Sequence, residues 1–310
     1  MAIARNLKFY PLAVHRAITV QNGPLAFVHG GFVVENCKGE KKKFGDLTPW
    51  ELLNLQPSTV LGIPEQLQQQ FGIHPEWLQR AIIPYSVHTL GRDEIRKYYK
   101  FQKMRYFIPS TRHYSWPKGM AVTDMGADHI AIVDVDNAAR MDIKKLEQLL
   151  DKSLAEQQAV FAVVAVIGST EEGAVDPLDK ILELREHFQK KGLSFVVHAD
   201  AAWGGYFATM LPPDRDRPYA STLYADNEAR QNDDLVPDLC LRHQTERDLF
   251  ALRRCDSITV DPHKSGYIPY PAGVLAYRDA RMKHLVKWTG PYLSRGQVSI
   301  GNGGYGLEGR

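Results

Sequence analysis

The sequence predicts an α/β fold with a mainly parallel sheet, and three observations lead there. Short apolar, β-branched runs recur from about residue 104 onward. Each is separated from the next by a stretch of helical length and pattern. Directly after several runs come residues rich in functional groups, where an open parallel sheet presents its ligands.

The elements follow in order. The chain is helical from its first residues, with Ile3, Leu7 and Tyr10 on one side and no capping residue before them. The basic run Lys38–Lys43 reads as a solvated loop. Thr48-Pro49-Trp50-Glu51 is a capping box with proline at the first helical position. Pro64–Phe71 reads as a second short helix stopped by Gly72, and Pro75 opens a third. The segment at about 47–83 is therefore expected to be a helical insertion within one domain spanning 1–310.

Met104–Ile108 reads as a strand, and His129–Asp136 contains another apolar run. Asp142 caps a helix to about Gln157. Val160–Ile167 is continuously apolar, as expected of a strand buried on both faces. Asp176-Pro177 opens a helix ending at Gly192, and Ser194–His198 is again a strand. Residues 213–238 are polar and read as a surface excursion. Thr245–Arg254 is helical, Ser257–Val260 and Gly273–Tyr277 are strands, and Asp279 caps a last helix to Trp288.

Composition narrows the function. The chain has 310 residues, 44% hydrophobic and 24% charged, with a net charge of +2. That balance offers no electrostatic case for a nucleic-acid or membrane partner. Cys37, Cys240 and Cys255 form no C-x-x-C pair, so neither a disulfide framework nor a zinc motif is expected. The first residues do not read as a signal peptide, and no run reaches the ~18 apolar residues of a membrane span. A cytoplasmic location is the expectation.

Four predicted strand ends carry chemistry: Ser110–Trp116, Gly168–Thr170, His198–Ala202 and Asp261–Lys264. A lysine is seldom buried without a partner or a task. Pyridoxal 5'-phosphate needs a lysine amine to hold it, a carboxylate for its ring nitrogen, a flat group on its face and donors for its phosphate. Lys264, Asp200, His113, and Ser169 or Thr170 with His263 fill those places by residue type. A metal site on His198, Asp200, Asp261 and His263 is the competing reading, but it leaves Lys264 and His113 unexplained.

Two segments carry a resemblance. Asp256–Tyr267, containing Asp-Pro-His-Lys, looks like the lysine motif of the group II pyridoxal-phosphate-dependent amino-acid decarboxylases. His198-Ala-Asp-Ala-Ala-Trp-Gly-Gly205 resembles their H-x-D-A-A motif, and Arg112–Trp116 and Gly168–Asp176 match as well. The detail is most similar to microbial tyrosine decarboxylases. The resemblance implies a fold type I transferase-like large domain, a homodimer, and decarboxylation of an L-amino acid, tyrosine first and aspartate second. Another pyridoxal-phosphate-dependent lyase reaction is a further alternative.

The resemblance also implies residue roles. Lys264 would carry the cofactor covalently, Asp200 would pair with the pyridine nitrogen, and His113 would stack on the ring. Thr170 and His198 would lie near the ring, Ala202 against its other face and His263 by the phosphate. Tyr270 would contact substrate or handle a proton. Relatives have a phosphate loop upstream and a further domain downstream, so the chain is expected to be the central piece of a longer decarboxylase. A non-catalytic remnant is the alternative that this raises.

Overall fold

The computed structural model describes residues 1–211, 241–288 and 306–307. The excursion expected over 213–238, Cys240 and most of Gly304–Arg310 lie outside the described residues.

Helix α1 (Ala2–Thr19) buries Leu7, Leu12, Val14 and Ile18. Lys8 is buried with them, and its amine donates to Leu53 O and Ser194 O, both at 2.6 Å. Burial pushes that amine down to about 7. The expected basic loop is instead a hairpin, β1 (Val33–Glu35) with β2 (Lys41–Lys43) antiparallel. Its turn is built by Asn36, whose Oδ1 accepts from Lys38 N at 2.9 Å and Glu40 N at 3.0 Å. The lysines of β2 stay exposed, so the charge pattern of a loop also fits this strand.

Short helices follow: α2 (Pro49–Leu53), α3 (Pro57–Phe71), α4 (Pro75–Ile82) and α5 (Val87–Tyr99). The capping box on α2 is present, with Thr48 Oγ1 accepting from Glu51 N at 3.2 Å. Helix α3 starts at Pro57, a turn or more before the expected Pro64. Pro57 occupies a first-turn position where no backbone donor is needed, and Pro64 is accommodated inside the helix.

The central sheet comprises β3 (Arg105–Pro109), β4 (Ile130–Val133), β5 (Val160–Val166), β6 (Val196–Asp200), β7 (Ser257–Val260) and β8 (Val274–Tyr277). Their order is β4-β3-β5-β6-β7-β8. All pairs are parallel except β7 with β8. Between strands run α6 (Ser115–Val122), α7 (Ile143–Ala155) and α8 (Leu178–Lys191), and α9 (His243–Ala251) precedes β7.

Every residue of β5 is buried, as its apolar run predicts. Ala162 and Val164 join the core shared with α1, while Val163 and Ala165 join the core under α7, α8 and α9. The centre of the sheet is thus covered on both faces, while the edge strands β4 and β8 keep exposed residues, and the carboxyl edge is left for the site. Asp142 caps α7 as expected, and Gly192 ends α8 at φ 97°. Asp279 does not open a helix reaching Trp288. It caps a short 3-10 turn, Ala280–Leu285, and Lys287–Trp288 pair antiparallel with Gly306–Leu307.

One buried ion pair fixes the entry to β7. Asp256 is 2% exposed and accepts from Arg185 Nη1 at 3.1 Å, Arg278 Nη2 at 3.3 Å and Val197 N at 2.8 Å. It ties β7 to β6 and α8 at the base of the strands. Asp256→Ala strands a buried guanidinium, so it should cost about 3–5 kcal/mol, read as a lower urea midpoint.

Candidate active site

The register of β6 and β7 sets the site. Asp200, the last residue of β6, lies opposite Thr259. The two chain segments stay together beyond the strands. Ala201 N donates to Thr259 O at 3.0 Å, and Asp261 N to Ala202 O at 3.2 Å. Ser265 Oγ then donates to Trp203 O at 2.7 Å. On the other side, Gly204 N donates to Ile167 O at 2.9 Å. A Cβ at Gly204 would stand 2.3 Å from that oxygen, so a side chain here would push the loop off β5.

These strand ends enclose a cavity of about 650 Å³. The ends of β3, β5, β6 and β7 all reach it. Thr111, His113 and Trp116 come from the first, Thr170 from the second, His198, Asp200 and Ala202 from the third, and Lys264 from the fourth. His263 and Tyr270 do not line it. His263 is exposed and turns its Nδ1 to the backbone of Ala272, which donates to it at 3.2 Å. Tyr270 is 64% exposed. Ser169 is buried, and its hydroxyl donates to Glu172 Oε2 at 2.8 Å and accepts from Ala174 N at 3.0 Å. That hydroxyl shapes its own loop.

Asp200 Oδ2 accepts the indole N–H of buried Trp116 at 2.8 Å. Lys264 Nζ lies 3.0 Å from Asp261 Oδ2 and 5.3 Å from the centre of the Trp203 ring. The charged neighbour of the lysine is thus a carboxylate. His113 Nδ1 meets Ser115 Oγ at 2.9 Å, and its ring centre is 4.2 Å from that of Tyr114.

His198 keeps some surface toward the cavity, but its ring is enclosed by protein. Nδ1 meets Ser257 Oγ at 2.8 Å and Nε2 meets Thr259 Oγ1 at 3.1 Å. The ring packs edge-on to Trp116 at 5.6 Å. Burial pushes this imidazole down to about 3. Both ring nitrogens thus serve the hydroxyls of β7. Among the described residues, no group of three or more His, Cys, Asp or Glu is arranged to hold a metal ion.

Residues 65–216 match the pyridoxal-dependent decarboxylase conserved domain. This chain is a relative of the pyridoxal-dependent decarboxylases. Over 307 residues it is 31% identical to the L-tyrosine decarboxylase of Levilactobacillus brevis, covering 94% of this chain and 46% of that protein. It is equally identical, at 31% over 304 residues, to the L-tyrosine decarboxylase of Enterococcus faecalis, with coverage of 94% and 46%. The aspartate 1-decarboxylase of Aliivibrio fischeri is 30% identical over 213 residues, with coverage of 68% and 32%. The chain thus spans about half the length of the curated tyrosine decarboxylases it matches, at 46%. A crystal structure of mouse CSAD aligns with 28% identity and a TM-score of 0.43, over 59% of this chain and 31% of that one.

The cavity fits the cofactor named by that family. Its volume lies within the usual range for small-molecule sites, about 300–1,000 Å³. An amine and a carboxylate reach it from adjacent strands, and a small side chain, Ala202, leaves room for a flat ring. The hydroxyl residues Ser115, Ser169 and Thr170 are among the uncharged polar groups on its wall. Sequence reasoning gave no part to Trp116, although the residue lies in a quoted motif. Its signal was an aromatic with an N–H that needs an acceptor once buried. Ser257 and Thr259 were also missed, because alternation along a short strand does not show which side chain a buried histidine meets.

The His198 value gives a signed pH dependence. The folded chain refuses a proton that the unfolded chain accepts below the ordinary histidine value of 6.5. Stability from this residue is therefore present above that value and is lost as pH falls toward about 3. In thermal unfolding, His198→Asn should show a shallower loss than wild type across that window.

Proposed function

We propose that this chain holds pyridoxal phosphate and supplies the catalytic centre for decarboxylation of an aromatic L-amino acid, tyrosine first. The observation that carries this is Lys264 and Asp200 lining one cavity from the ends of adjacent parallel strands. The relatives support the choice of tyrosine, since two tyrosine decarboxylases match over 94% of the chain. Aspartate is the second reading, supported by the match to an aspartate 1-decarboxylase.

When bound, the cofactor would supply an electron sink for the pair left behind as carbon dioxide departs. The residues of this chain do the rest. Lys264 would hold the cofactor covalently through its amine. Asp200, fixed by the Trp116 N–H, would hold a proton on the ring nitrogen. His113 and Ala202 would bracket the ring, with Thr170 and His198 beside it. His198 would act as a neutral, hydrogen-bonded wall, because burial keeps its ring uncharged at neutral pH. His263 and Tyr270, outside the cavity, would shape and flank the lysine loop.

We place the reaction in the cytoplasm and expect a homodimer. The cysteine pattern supports the first, and the resemblance to the family supports the second. No helix among the described residues is long and apolar enough to cross a membrane.

Purified protein incubated with pyridoxal phosphate, reduced with borohydride and mapped should carry the label on Lys264. Lys264→Ala should lose it. Labelled wild-type samples should have unreduced counterparts that release carbon dioxide from L-tyrosine faster than from L-aspartate. No label on Lys264 at saturating cofactor would overturn the proposal.

A further inference from the structure

The cavity contains more carboxylate than a single ring nitrogen needs. Asp200 and Asp261 both line it, from neighbouring strand ends, and Lys264 is beside only one of them. Asp200 takes a neutral donor, the Trp116 indole at 2.8 Å. Asp261 takes the lysine at 3.0 Å. The sorting is enforced by the backbone. Lys264 N donates to Asp261 O at 2.9 Å, and this turn sets the two side chains on one side of the loop. The loop is pinned in turn by Asp261 N to Ala202 O at 3.2 Å and Ser265 Oγ to Trp203 O at 2.7 Å. The Trp203 ring backs the amine at 5.3 Å.

We infer that Asp261 is the positioning residue of Lys264, parking its amine as a paired ammonium on the β7 side of the cavity and keeping it off Asp200. The inference deepens the cofactor reading and rests on it for its meaning, though not for its test. Two consequences follow. The Asp200 carboxylate stays open to a cationic ring nitrogen instead of being neutralised by the neighbouring lysine. The Lys264 amine, in turn, becomes a nucleophile only when the pair with Asp261 opens.

The test is competitive acetylation of the ligand-free chain with trace acetic anhydride at neutral pH. The Lys264 peptide is quantified against that of exposed Lys144 in the same digest. Asp261→Asn, which removes the ion-pair partner at 3.0 Å, should raise Lys264 labelling by about three- to tenfold. Asp261→Glu, which keeps the charge, should stay within about twofold of wild type. Molar salt should raise wild-type Lys264 labelling in the same direction as Asp261→Asn by screening the pair. This arm reads the pair even if the Asn variant folds poorly. Lys264 labelling unchanged by both the Asn substitution and salt overturns the inference. The cofactor reading fails separately: with the acetylation shift present, no pyridoxyl label on Lys264 in wild type would refute the cofactor while leaving the ion pair standing.

Discussion

The site depends on the parallel pairing of β6 and β7. His198 faces Ser257 and Asp200 faces Thr259 in that ladder. A shift by one residue would turn Asp200 to the other face of the sheet and separate His198 from both hydroxyls. Asp256 guards against such a shift from below. Its buried carboxylate accepts from Val197 N while its own backbone N–H donates to Val197 O at 2.9 Å. The charge pair with Arg185 thus serves as a register pin, and the chemistry at the top of the strands inherits its precision.

Above the strands, the site is held by uncharged contacts as much as by ions. Trp116 reaches Asp200 from α6 and packs its edge on His198, so one indole orients two residues of β6. The hydroxyls of β7 hold the His198 ring from the other side. A charged imidazole there would lose much of its hydration, which explains why the ring stays neutral. The one ion pair on the cavity wall that involves Lys264 is local, within one turn.

The sheet was legible because β5 is apolar throughout and buried throughout. Asp142, Gly72 and Gly192 marked helix ends through chemistry that acts over a few residues. Pro64 misled for the same reason. Proline is read as a start, but Pro57 already provides one, and the same helix carries the second inside it. The lysine run of β2 looked solvated and is solvated, yet the Asn36 turn folds it into a hairpin that charge alone does not announce. At the site, Lys264, Asp200 and His113 were legible as residue types at strand ends. Their partners were not, since Trp116 meets Asp200 and Asp261 meets Lys264 through side-chain directions that spacing does not carry. His263 shows the converse: adjacency to Lys264 in sequence did not bring its ring into the cavity.

The lysine and the carboxylate differ in how the chain delivers them. Lys264 sits on the connection between β7 and β8, neighbouring antiparallel strands, so its position comes from a short local excursion. Asp200 comes from a strand brought alongside from a distant part of the sequence, and its delivery carries the entropy of closing a long loop. A molecule gripped by both residues would act as a removable cross-link between a local hairpin and a long-range ladder. By mass action it would draw the whole β6–β7 pairing toward the folded state, so that occupancy of the site and cohesion of the sheet become one equilibrium.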